Sequence, residues 1–114
     1  MRPEQKVEVF PDGVVDVYPM ENRKLGPRKV TLHFEQQSVG VRRFYEAGAV
    51  RGNEIDRVIK VPHTRFVNRL DIVVVRSEND RQYRINRIQE KPERNVDLLE
   101  LQSVQVTIGK EGSS

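Results

Sequence analysis

The side chains of this chain that could do chemistry are few and scattered. Glu54 and Asp56 stand two apart, Glu90 and Glu93 flank Pro92, and His33 and His63 are the two histidines. Paired carboxylates work as general acid and base when their surroundings drive their pKa values apart. Here Glu54 and Asp56 fall on the polar parity of an expected strand, and Glu90 and Glu93 fall in an expected turn. Both pairs therefore read as solvated charge. The absence of cysteine excludes disulfides and thiol catalysis, and two isolated histidines without clustered carboxylates do not make a zinc site. Glycine-rich phosphate loops, a nucleophile elbow and a metal-binding helix are also missing from the sequence. The expectation is binding or assembly, with no catalytic residue, no metal and no cofactor, and so not an enzyme.

The charge is more informative. Of a net +3, residues 40–94 carry 13 basic and 8 acidic groups, a local surplus of +5, and most of the basic groups there are arginine. Arginine favours bidentate contacts with carboxylate or phosphate. Arg42, Arg43, Arg51, Arg57, Arg84 and Arg87 are the candidate charges facing a neighbouring subunit or DNA. The surplus is too diluted by acid to mark a dedicated nucleic-acid binder.

These residues must be carried by one domain, since 114 residues allow a modest core and little more. No segment approaches the roughly 20 apolar residues of a membrane span, and Met1-Arg2-Pro3-Glu4 lacks the apolar core of a signal peptide. The expected protein avoids membranes and stays where it is made.

The pattern is that of β-structure throughout. Glu54 to Gln89 reads as three successive strands, Glu54–Val61, Asp71–Arg76 and Arg81–Ile88. In the first, Ile55, Ile59 and Val61 share a parity opposite Glu54, Asp56 and Lys60, the period of a half-buried strand. Ile72–Val75 is apolar on both parities, as expected of a strand covered on both sides. Pro62 ends the first strand, and His63–Leu70 offers Phe66 and Leu70 at helical spacing, one turn that would plug an open end. Tyr83 and Ile85 share a parity that Ile88 does not, so a β-bulge is expected near Asn86-Arg87.

Before this core, Val7–Phe10 and Val14–Tyr18 flank Pro11-Asp12-Gly13, a hairpin signal. Residues 1–27 are thus expected to be an N-terminal hairpin arm and linker that docks on the core or on a neighbouring subunit, with Val7, Val9, Phe10, Val15, Val17 and Tyr18 as candidate assembly residues. Arg28–Glu35 alternates cleanly, with Val30, Leu32 and Phe34 on one face. Val39–Ala47 follows as a strand interrupted by Arg42-Arg43, and Gly48, Ala49, Val50, Arg51, Gly52 and Asn53 form a small-residue loop. The last strand, Asp97–Ile108, changes parity between Leu101 and Val104, which implies a second bulge near Gln102-Ser103. The expected fold is mainly β: a small antiparallel β-barrel or rolled sandwich over residues 28–109. It carries the hairpin arm, at most one short helical turn, and a disordered tail at 110–114.

From Val39 onward the order of features resembles the head-closure and head-tail adaptor family of tailed bacteriophages. The resemblance rests on Arg43-Phe44-Tyr45-Glu46-Ala47, a loop, Ile55–Val61, Asp71-Ile72-Val73, Arg81-Gln82-Tyr83-Arg84-Ile85 and Leu98-Leu99-Glu100-Leu101. It covers about the last two-thirds of the chain. The sequence departs from the family in lacking tryptophan and in carrying the additional Val7–Tyr18 segment.

The resemblance implies a virion protein, a stopper or adaptor, that forms a ring homo-oligomer below the portal, closes the DNA-filled head and docks the tail. Its partners would be itself, a portal or adaptor protein, a tail protein and genomic DNA in the channel. The isolated chain would be monomeric where the ring needs the portal as a template. Its place would be the head-tail interface, and the bacterial cytoplasm during assembly, in a phage or a prophage. By position, Gly48–Asn53 would be the channel loop, with Arg51 nearest the DNA. The competing expectation is a small basic β-barrel module that binds nucleic acid directly. Against it, most of the aromatic residues lie on core parities, leaving few to stack bases.

Overall fold

The computed structural model describes residues 7–38 and 55–106. Eight strands follow in order: β1 Gly13–Tyr18, β2 Met20–Glu21, β3 Lys24–Leu25, β4 Val30–Gln37, β5 Arg57–Pro62, β6 Ile72–Val75, β7 Arg81–Lys91 and β8 Val96–Ser103. Six of them close into an antiparallel barrel in the order β1-β4-β5-β8-β7-β6, and β1 pairs with β6 to complete the circle. Closure leaves none of the six strands with an unpaired edge. The small β2-β3 hairpin stands beside the barrel.

Alternation fills the interior. Val15 and Val17 from β1, Leu32 and Phe34 from β4, Ile59 and Val61 from β5, Val73 and Val75 from β6, Tyr83 and Ile85 from β7, and Leu99 and Leu101 from β8 form one buried cluster. Each such side chain stabilises the fold by about 1.5–3 kcal/mol relative to exposure. All four residues of β6 are buried, so the strand expected to be covered on both sides is so.

The expected bulge is present. Ile85 pairs with Leu101 and Arg87 with Glu100, so Asn86 is the extra residue. The extra residue returns Ile88 to the side of the sheet that packs on the core, opposite Leu99.

Several expectations are corrected. Val14–Tyr18 does not pair with Val7–Phe10: β1 lies between β4 and β6 inside the barrel, which therefore begins at Gly13 and not at residue 28. The Asp-Gly pair serves another purpose. Gly13 takes φ 137, and a Cβ there would meet the Phe34 ring at 3.2 Å, so glycine lets β1 enter the barrel against that ring.

The hairpin in this region is instead β2-β3, turned by Asn22 and Arg23 at φ 54 and 66, the left-handed pair of a type I′ turn. His63–Leu70 is not helical; the single 3-10 turn of the described residues is Arg76–Glu78. The connector does cap one end of the barrel, but through Val67, while Phe66 and Leu70 face out.

Finally, β8 is regular to its end at Ser103, with no second bulge. Beyond Ser103 the strand gives way to single bonds: the Ser103 amide donates to the Asp56 carboxylate, that of Val104 to the Gln82 carbonyl and that of Val106 to the Gln82 side chain. The expected strand Val39–Ala47, the loop Gly48–Asn53 and the tail 110–114 lie outside the described residues.

Candidate functional site

At the barrel end where β4 finishes and β5 starts, Arg57 turns inward. Its guanidinium lies over the rings of Phe34 and Tyr83, 5.4 and 5.5 Å from their centroids. It makes two bonds to Glu78, of 2.6 and 2.8 Å, and one of 2.6 Å to Gln36. The bonds from Arg57 hold the Glu78 carboxyl below its ordinary pKa. Arg57 is therefore a plug of the barrel mouth. Of the charges expected to face a neighbour or DNA, Arg57 is thus largely buried and engaged within the chain by Glu78 and Gln36.

On the outer face of β5, Lys60 is buried although it points away from the core. The extended segment Val7–Phe10 covers it. Glu8 accepts from Lys60 at 2.8 Å and from Arg94 at 2.9 Å, Glu35 lies 2.8 Å from the same ammonium, and the Phe10 ring centroid lies 5.2 Å from it. Burial opposes the charge on Lys60, but the hydrogen bonds to Glu35 and Glu8 outweigh it and hold the ammonium above its usual pKa. The bonds from Arg94 and then Lys60 pull Glu8 down to about 2. Glu8 and Phe10 face the barrel while Val7 and Val9 face water, 79% and 52% exposed. Of the expected assembly residues, then, Val7 and Val9 are available to a partner and Phe10 is engaged in the chain. Val15 and Val17 are core, which corrects their assignment to an arm, and Tyr18 is half-buried at the end of β1.

A groove of about 720 Å³ runs along the outside of β1 and β6 beneath the β2-β3 hairpin. Asp16 lies within it, buried, and binds Arg76 through two bonds of 2.7 and 2.8 Å. Thr31 donates to it at 2.6 Å, and Arg28 lies 3.7 Å away. The bonds from Arg76, then Thr31, outweigh the burial that would raise Asp16, so its carboxyl stays below its ordinary pKa.

At the opposite end from Arg57, the connector 63–70 exposes Phe66 and Leu70. The imidazole Nδ1 of His63 lies 3.1 Å from both oxygens of buried Asp97.

The remaining expected charges sit differently from one another. Arg84 bonds Gln102 at 2.7 Å and Asn86 at 3.2 Å along β7 and β8. Arg87 is exposed, 3.8 Å from Glu100. Arg42, Arg43 and Gly48–Asn53, with Arg51, lie outside the described residues. Alternation could have flagged Glu8 and Phe10 as one face of a docked segment. The exposure of Phe66 and Leu70 carries no such signal, since their spacing fits a helix equally well.

Among the described residues no group of three metal-ligating side chains converges, and no helix is long and apolar enough to cross a membrane. Comparison with protein-family models, curated proteins and solved structures found no match.

Proposed function

We propose that this chain is a structural connector protein of a tailed phage or prophage, assembling as a ring below the portal to close the DNA-filled head and dock the tail. The observation that carries the reading is the place of residues 38–56. They join the second and third strands of the closed barrel, β4 and β5, whose ends pair at Gln37 and Val58. In some members of the family that the sequence resembles, the loop in this position projects into the channel. The barrel is then the rigid frame, and the arginine-containing segment is the part offered to DNA. A modestly positive ring attracts the genome without holding it tightly, since attraction of this kind is screened by salt and spread over many weak contacts.

The test is reconstitution. The full chain is added to portal-bearing, DNA-filled heads, and attachment and DNA retention are measured together. Attachment with retention is the expected result, and deletion of Gly48–Asn53 is expected to preserve attachment and let DNA leak. No attachment to heads, with salt-dependent binding of single-stranded DNA by the isolated chain, would replace this reading with a nucleic-acid-binding barrel.

A further inference from the structure

Two surfaces of this molecule lack partners among the described residues and complement each other. The first is the connector 63–70, which crosses one end of the barrel from β5 to β6, strands on opposite sides of the circle. Val67 points into the core at 7% exposure, whereas Phe66 and Leu70 are 54% and 48% exposed. Leu70 sits at φ 77, a conformation that a leucine adopts only under constraint.

The constraint is visible on either side of it. The Leu70 amide donates to Ile85 O at 2.7 Å, the Asn68 amide donates to the Asp71 carboxylate at 2.8 Å, and Lys29 fixes that carboxylate from 2.7 Å. The scaffold thus holds a large apolar side chain out in water. Arg65 lies 5.7 Å above the Phe66 ring and Arg69 bonds the Asn86 carbonyl, and neither has a carboxylate partner among the described residues. Two apolar groups framed by two cations form a knob.

The second surface is the groove under the β2-β3 hairpin, about 720 Å³ in volume, with Tyr18, Leu25 and Val74 among its apolar walls. Its own cations, Arg28 and Arg76, are turned to Asp16. Its other carboxylates, Glu21 and Asp80, make no ion pair among the described residues. A groove that joins apolar walls to two carboxylates outside any ion pair among the described residues is what an apolar knob flanked by two guanidinium groups fits.

We propose that the Phe66–Leu70 knob of one copy seats in the groove of a second copy, with Arg65 and Arg69 directed to Glu21 and Asp80. The two patches are different parts of one chain, so the contact is heterologous. Each copy keeps a free knob or groove for the next, and the assembly grows head to tail into a ring or a filament. The inference deepens the ring of the proposed function by naming its contact, and it rests on that reading only for its biological setting.

The absence of native cysteine makes the test direct. Full-length Asn68→Cys and Leu25→Cys variants, checked for folding by circular dichroism, are mixed and joined with a short bismaleimide; the exposed Asn68 side chain stands within the connector, so the thiol leaves Phe66 and Leu70 in place. The mixed adduct is expected in excess over either homodimer, on the order of tenfold, because docking raises the local concentration of one thiol about the other. Arg65→Glu and Arg69→Glu in the Asn68→Cys chain should remove the excess, and Glu21→Arg in the other chain should restore part of it.

No excess, or an excess indifferent to charge reversal, overturns the proposal. Protection of the Leu25→Cys thiol only when heads are added assigns the groove to a head protein and overturns it too. Crosslinking of the isolated chain and attachment to heads are separate measurements. Attachment without the mixed adduct removes this contact alone, and the adduct without attachment removes the phage reading alone.

Discussion

Arg57 on β5 and Glu78 in the turn after β6 are bonded twice, at 2.6 and 2.8 Å, across one mouth of the barrel. A small barrel has room at its mouth for an inward side chain but not for an unpaired charge there. Arginine meets both demands: its stem and guanidinium plane pack on Phe34 and Tyr83, and its outer nitrogens reach the carboxylate. The left-handed Asn79 and Asp80 that follow, at φ 59 and 56, turn the chain back into β7 and keep Glu78 over the mouth.

Arg57→Met keeps the apolar stem and removes the bonds. It is expected to cost about 2 kcal/mol, from charge-assisted bonds and ring contacts together. In urea denaturation the midpoint should fall with the slope unchanged. Glu78→Gln should cost less, because that side chain is more than a third exposed and its bonds are partly replaced by water. A strictly additive double mutant would show that the two groups are not coupled.

Gly13→Ala tests the entry to β1. At φ 137 an alanine is strained, and its Cβ would sit 3.2 Å from the Phe34 ring, itself fully buried. The expected loss is about 1–3 kcal/mol, read as a lower melting temperature. An unchanged melting temperature would mean that the backbone there relaxes freely.

The barrel was largely legible because alternation records which side chains face inward. β4, β5 and β7 follow it, the uniformly apolar β6 is covered on both faces, and the parity slip between Ile85 and Ile88 located the bulge at Asn86. What alternation does not record is the partner. Val7–Phe10 alternates like a strand, yet Glu8 and Phe10 meet Lys60 through side chains, across 52 residues of sequence in the case of Glu8.

The same limit hid Lys60, whose outward parity implies exposure until another segment lies on it. It also hid Arg57, since an arginine in a strand reads as surface. Phe66 and Leu70 were misread because a spacing of four fits one helical turn. The interactions that set the connector, Lys29 with Asp71 and Leu70 with Ile85, are long-range and leave no local mark.

The covering segment should come loose in acid. Glu8 titrates at about 2 in the fold against 4.5 for a free glutamate, so the unfolded or undocked chain binds its proton first. Its contribution to stability is complete above about pH 5 and is lost as pH falls from 4.5 towards 2. Glu8→Gln should therefore lower the melting temperature at pH 6, and the gap to the parent protein should close as the pH approaches 2. Glu35, Asp16 and Glu78, also held below their ordinary values by basic partners, act in the same direction. A gap that persists at pH 2 would place the role of Glu8 in packing and not in its charge.

Leu70→Gly separates strain from use. Leucine at φ 77 costs about 1–2 kcal/mol that glycine does not incur, while glycine adds about 0.5–1 kcal/mol of unfolded-chain entropy. Because the Leu70 side chain is half in water, little burial is lost with it. The variant should equal the parent in thermal stability or exceed it by up to about 1 kcal/mol, whereas removing a buried leucine costs about 2–5 kcal/mol. Formation of the mixed crosslink between copies should nonetheless fall, since half of the apolar knob is gone. A variant at least as stable as the parent that crosslinks poorly would show that the fold keeps Leu70 exposed for a partner; destabilisation by more than about 1 kcal/mol would make it a structural residue.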